Sequence, residues 1–181
     1  MTAVSPKLAV VHVRELREDE REWLRATLRE AWSGDTVVGR GQTWTPGDLP
    51  ALVAVDEDGE RVGIATYTVE GDIAELTTLN ALKPGIGAGR RLVEGVAAAA
   101  RAAGATRLRV MTTNDNTRAI RLYQRAGFRL AELRPGGVDR ARETLKPTIP
   151  LVGDDGIPIR DEIDLVLDLE SGGGAQSLDS E

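Results

Sequence analysis

Gly85, Gly87 and Gly89 alternate through Pro84-Gly85-Ile86-Gly87-Ala88-Gly89 and run directly into Arg90 and Arg91. A glycine-rich turn that opens into a helix aims backbone N–H groups and the positive end of a helix dipole at one point, which is how phosphate is held. Glycine lets the backbone approach an anion that a Cβ would keep away, and the two arginines add positive charge at the mouth. Several kinds of chemistry use such a turn. A dinucleotide-binding fold needs a third glycine where this chain has Arg90, and an acid about 20 residues later; residues 105–109 read Ala-Thr-Arg-Leu-Arg. A Walker-type loop ends in Gly-Lys, a pair that occurs nowhere in the sequence. What stays open is another phosphate-bearing cofactor, or a plain strand-to-helix corner with no ligand.

A second group follows downstream. Asn114, Asp115 and Asn116 precede an apolar-periodic run, which is helix N-cap chemistry. Ala119, Leu122, Tyr123 and Ala126 recur at i, i+3, i+4 and i+7 and so share one helix face. Gly127 supplies a left-handed stop ahead of Phe128.

Taken together, Gly87-x-Gly89-x-x-Leu92 and Asn116-x-x-Ala119-x-x-x-Tyr123-x-x-x-Gly127-Phe128 resemble the two cofactor motifs of the GNAT superfamily, the acyl-CoA-dependent N-acyltransferases. The resemblance covers about residues 10–170 and is most specific over 79–128. It implies acetyl-CoA as cosubstrate and transfer of its acetyl group to a primary amine of a small-molecule acceptor. Pro84, Gly85, Ile86, Gly87, Ala88, Gly89 and Arg90 would hold the pyrophosphate. Leu79, Asn80 and Ala81 would pair with the pantetheine amides in strand fashion and offer N–H groups to the oxyanion. Asn116, Ala119 and Tyr123 form the second cofactor segment. One departure is Pro84, which stands where the family usually has Gln or Arg. Homodimers are common in the family, so a homodimer is allowed. The alternatives are a silent GNAT-like module that binds acyl-CoA for sensing or assembly, and a nucleotide-binding regulatory domain.

The implied reaction needs a deprotonated amine and a proton for the departing thiolate. Tyr123 is the candidate acid, because a phenol of pKa about 10 is well matched to a thiol of about 8.5; packing in the core is its other reading. Glu75, on the strand leading into the glycine turn, is the candidate base, where the family often carries a carboxylate. Its other reading is an exposed or arginine-paired residue. An acceptor pocket is expected between residues 33–50 and 146–160, both long and irregular by composition. Arg40 and Arg160 suit a carboxylate or phosphate on the acceptor, Lys146 adds a further cation, and Trp44 could cover an apolar portion. Alternatively the arginines pair with Asp35, Asp161 or Glu162 and merely fix the loops.

Composition narrows the classes. The net charge of −6 and 3% aromatics oppose nucleic-acid binding, which wants a basic patch and stacking rings. Positive charge gathers locally at Lys83, Arg90, Arg91, Arg118, Arg121 and Arg125, either as a solvated face or as a basic rim for the 3′-phosphate of CoA. There is no cysteine and a single histidine, His12, so disulfides and thiol nucleophiles are excluded and no metal site is expected. No apolar run approaches the ~20 residues of a membrane span, and the N-terminus lacks signal-peptide features. A cytoplasmic protein with no membrane partner is the expectation.

The elements that must position these residues follow from periodicity. Strands are expected at 10–16, 51–55, 61–69, 73–82, 106–113, 128–133 and 161–169, and helices at 18–32, 88–103, 117–126 and 138–145. Residues 33–50 read as a loop or broken helix, and 146–159 as a proline-fixed loop. The fold class is therefore α/β (α+β), a single domain over 10–170 with a mixed sheet of about seven strands flanked by helices. Residues 1–9 form an N-terminal extension, and 171–181 a Gly/Ser/acid-rich disordered tail.

Overall fold

The computed structural model describes residues 10–169; the N-terminal extension and the C-terminal tail lie outside the described residues. Along the chain come β1 (His12–Glu15), α1 (Arg21–Ala31), β2 (Val37–Gly39), β3 (Gln42–Trp44), β4 (Ala51–Val55), β5 (Arg61–Glu70) and β6 (Ile73–Ala81). Then follow α2 (Ala88–Ala102), β7 (Arg107–Thr113), α3 (Thr117–Arg125), β8 (Arg129–Arg134), α4 (Gly137–Thr144) and β9 (Glu162–Asp168). Seven strands form one sheet in the order β1-β4-β5-β6-β7-β9-β8, and β2 and β3 pair separately. Every neighbour in the large sheet is antiparallel except β6 and β7, which run parallel. A parallel pair requires a crossover, and α2 provides it.

Alternation along each strand divides the side chains between two faces. Leu52, Ala54, Ala74, Leu76, Leu108, Val110 and Leu165 pack against Leu92, Val93 and Val96 of α2 and against Tyr123. Ala51, Val53 and Ile64 point the other way and bury Leu24 and Leu28 of α1. Small residues on α2 (Ala97, Ala100) let it lie close to the sheet. The sheet is thus covered on both sides.

The β6–β7 pairing is short. It runs from Ile73 opposite Arg107 to Leu76 opposite Val110, after which the two strands part. On its other edge β6 stays paired with β5 as far as Ala81 opposite Gly63. The register slips once, so that Thr66 faces Thr78 while Tyr67 faces Leu76 and Thr77 has no opposite number. Such a bulge re-aims side chains. Here the Thr66 hydroxyl bonds those of Thr77 (2.7 Å) and Thr78 (2.6 Å).

Residues 33–50 correct the sequence reading: the middle of this segment, 37–44, is the β2–β3 hairpin, closed by Arg40 and Gly41 at φ +50° and +71°. Two residues with positive φ make the turn whose twist matches the strands. The usual Asn-Gly or Asp-Gly signal is absent because an arginine takes the first position. Residues 146–161 are irregular as expected, with one bridge between Val152 and Pro158.

Candidate functional site

Where β6 leaves β7 the sheet opens into a cleft of about 310 Å³, lined on one side by Leu76, Thr77, Thr78, Leu79, Asn80 and Ala81. Val110 to Thr113 and the α3 residues Arg118, Ala119, Leu122 and Tyr123 form the other wall, with Asn116 and Gly89 at one end. Beyond Leu76 the β6 edge has no strand partner on this side, so its backbone polar groups are free for an extended ligand to pair with. Asn116 caps α3, its Oδ1 accepting from Ala119 N at 3.1 Å. The Asn80 side chain is committed elsewhere: its Oδ1 accepts from Trp32 Nε1 at 3.0 Å.

The glycine turn enters α2 with Gly85 and Gly87 at φ +83° and +84°, and Gly87 is the N-cap. No side chain caps this helix, so its first N–H groups are open to an anion. Arg90 and Arg91 both turn to Glu94, at 2.9 and 3.3 Å, which reduces the charge they lend the turn. Arg118 on the cleft wall has no such partner among the described residues.

Tyr123 is buried, its ring 5.5 Å from that of Phe128. Burial pushes its phenol well above the ordinary value, so it holds its proton. A buried phenolate would need compensating charge, so the neutral phenol is the stable form here.

A second cavity of about 250 Å³ lies on the α1 side of the sheet. It is built from the two segments that the sequence marked out: Ser33, Val37 and Val38 from the first, and Lys146, Thr148, Ile149, Pro150 and Ile159 from the second, with Glu162 and α4 residues completing it. Trp32 and Thr113 line both cavities, so the two meet there.

Arg40, Trp44 and Arg160 do not line this cavity. Arg40 reaches across the sheet face to Glu75 and to Asp164 (3.0 Å), and its guanidinium lies 5.6 Å from the Trp44 ring centre. Arg160 is exposed at the surface. Glu75 receives Arg40 and also Arg109 at 3.3 Å, and it lies outside both cavities. Arg134 closes the cluster by bonding Glu162 (2.8 Å) and Asp164 (2.9 Å). Three arginines thus face three buried carboxylates, and the arginine-paired reading of Arg40 and Glu75 describes their contacts.

The acid on the cavity wall is Glu162, which the sequence reading treated only as an arginine partner. Its Oε2 takes Arg134, and both oxygens take the Arg40 N–H at 3.1 to 3.2 Å. Trp32 and Thr113 were also missed as site residues. Their placement depends on the strand splay and on the end of α1, neither of which leaves a local motif. Among the described residues no cluster suited to a metal ion occurs, and no helix is long and apolar enough to cross a membrane.

A sheet opened beside an uncapped, glycine-led helix defines an acyltransferase fold, and residues 13–128 match the Acetyltransferase (GNAT) family. The chain belongs to that family. Among its relatives, the uncharacterized protein YxbD of Bacillus subtilis (strain 168) is 33% identical over 150 residues, covering 83% of this chain and 94% of the relative. The uncharacterized protein YdhI of the same organism is 41% identical over 116 residues, or 64% and 72% of the two chains. A Bacillus subtilis acetyltransferase solved in complex with CoA superposes with a TM-score of 0.62 at 19% identity, over 88% of this chain and 98% of that one. A GNAT family acetyltransferase from Elizabethkingia anophelis with acetyl-CoA bound gives 0.63 at 16%, over 87% and 97%. At these identities the structural likeness is one of fold. The expected mixed seven-strand GNAT domain is borne out.

Proposed function

We propose that this protein is an N-acetyltransferase that moves the acetyl group of acetyl-CoA to the primary amine of a small molecule. The observation that carries the reading is the opening of β6 from β7 beyond Leu76 and Val110, which leads from the uncapped start of α2 to a second cavity on the far side. The residues fit the cosubstrate. The α2 N–H groups and the turn at 84–90 suit its pyrophosphate, the free β6 edge at Leu79, Asn80 and Ala81 suits its pantetheine amides, and Asn116 and Ala119 flank the same cleft. The CoA-bound and acetyl-CoA-bound relatives in fold support the same assignment.

The amine enters from the cavity of Glu162 and Lys146 and meets the thioester where Trp32 and Thr113 join the two spaces. A C–N bond forms at the acetyl carbonyl carbon, the C–S bond breaks, and the nitrogen loses a proton. Backbone N–H groups of β6 beside the Thr77 bulge stabilise the oxyanion. Tyr123 gives its proton to the leaving sulfur. Glu162 is the carboxylate positioned to take the proton of the amine, since it lines the acceptor cavity. Glu75 neutralises Arg40 and Arg109 beneath the hairpin.

Calorimetric titration with acetyl-CoA and a thiol-release assay over a panel of amines test the reading. Binding together with amine-dependent thiol release supports it; binding with no release from any amine leaves a silent acyl-CoA-binding module. Glu162→Gln and Glu75→Gln, each followed across pH, separate the two carboxylates. The acidic limb of kcat/KM should flatten for Glu162→Gln and persist for Glu75→Gln, and the reverse result would return the base to Glu75.

A further inference from the structure

Among the described residues, Lys146 is the one cation on the wall of the proposed acceptor cavity, and its ammonium is fixed there by donating to Trp32 O and Thr36 O, both at 2.6 Å. An ammonium has three hydrogens, so one is left to donate. No carboxylate pairs with it among the described residues. Burial pushes it below the ordinary lysine value, the direction for a cation with no acid opposite. The neighbouring charges already have partners, though Glu162 keeps Oε1 clear of the Arg134 guanidinium. Glu162, the acid on the same wall, is held by Arg134. Neighbouring Arg142 donates to Ile149 O, Pro150 O, Ile159 O and Asp139. Most of the remaining wall is apolar, with Val37, Val38, Val138 and Ile149 contributing. An uncompensated charge in such surroundings is costly and favours a ligand that brings the opposite sign.

Size narrows the ligand further. A cavity of about 250 Å³ suits a compact small molecule rather than a polymer. Resting on the acetyl-transfer reading above, we propose that the acceptor is a small amino acid: a primary amine and a carboxylate joined by a short apolar body. Lys146 selects it by receiving the carboxylate, while the amine end lies toward Glu162 and Thr113. This replaces Arg40 and Arg160, whose placement takes them away from the cavity, with a residue that lines it.

The test uses matched pairs, leucine with leucinamide and an ω-amino acid such as 5-aminopentanoate with its amide, on wild type and Lys146→Met. Methionine keeps the aliphatic stem and removes the charge. Wild type should prefer each acid over its amide by about tenfold or more in kcat/KM. In Lys146→Met the acid's KM should rise by a similar factor, with the amide's KM and the acetyl-CoA KM unchanged. Equal use of acid and amide by wild type, or equal losses on both in Lys146→Met, would overturn the selection. Calorimetric binding of the same compounds in the presence of CoA reads recognition without turnover. A Lys146-dependent preference for the acids there, without thiol release, would uphold this ligand class while rejecting acetyl transfer. No preference in binding would reject the ligand class even in an enzyme that acetylates other amines.

Discussion

Arg40, at the tip of the β2–β3 hairpin, pairs its guanidinium with the carboxylate of Glu75 on β6, 35 residues away in sequence. The same side chain reaches Asp164, and its backbone N–H reaches Glu162. One residue therefore fastens the hairpin to β6 and β9, and the hairpin's first strand supplies Val37 and Val38 to the cavity proposed for the acceptor. Removing Arg40 leaves Glu75 with Arg109 and Asp164 with Arg134, so the cost falls below that of a wholly uncompensated buried charge, at about 1–3 kcal/mol for the lost charge-assisted bonds. Arg40→Ala should lose stability on that order, read as a lower urea midpoint. A loss under about 0.5 kcal/mol, the size of an ordinary surface change, would mean that the cluster contributes no more than an exposed pair.

The glycine turn separates folding from binding. A Cβ added at Gly87 meets nothing within 4 Å, so the strain comes only from its φ of +84°, worth about 1–2 kcal/mol for a residue with a side chain. Gly89 has an ordinary φ, and a Cβ there would come 3.3 Å from Leu122 Cδ2, in the lining of the cleft proposed for the cofactor. Gly87→Val and Gly89→Val should both fold and should bind acetyl-CoA at least about tenfold more weakly, about 1.4 kcal/mol. Calorimetry giving wild-type affinity for both would remove the turn from the cofactor site.

Tyr123→Phe keeps the ring against Phe128 and deletes only the hydroxyl. With acetyl-CoA affinity little changed, kcat should fall by roughly 10² to 10⁴, as for a lost general acid. Because burial raises the phenol, Tyr123 stays protonated to higher pH than a free tyrosine, and wild-type kcat should show no basic limb near pH 10 from this group. An unchanged kcat in the variant would leave Tyr123 as a core residue.

Acid sensitivity should come in part from Glu20, a buried carboxylate that receives Arg14 through two bonds of 2.6 and 2.8 Å. The Arg14 bond holds it well below the usual carboxylate range. A depressed carboxylate stabilises the fold above its unfolded pKa of about 4.3, and that contribution is lost as pH falls toward the folded value. Glu20→Gln should therefore be less stable than wild type near pH 7, and the difference in urea midpoint should narrow as pH drops below about 4. A gap that stays constant down to about pH 2 would assign the loss to packing.

What the sequence determined is whatever repeats locally. Strand and helix periods fixed the elements of the large sheet to within a few residues, because burial on one face imposes period 2 or 3.6 on the chain itself. The glycine turn and Asn116 were legible for the same reason, since φ > 0 and capping restrict residue types at single positions. The two segments expected to be irregular by composition do line one cavity, although the first of them forms a hairpin there. Tertiary structure decided the rest. That Arg40 turns inward to Glu75, that Glu162 and Lys146 face the cavity, and that Trp32 and Thr113 join it to the cleft between β6 and β7 all depend on strand order and on β6 parting from β7. The Arg40–Glu75 and Lys146–Trp32 contacts span 35 and 114 residues. A charged side chain carries no local mark of its partner, because its energy depends on what the fold brings opposite it.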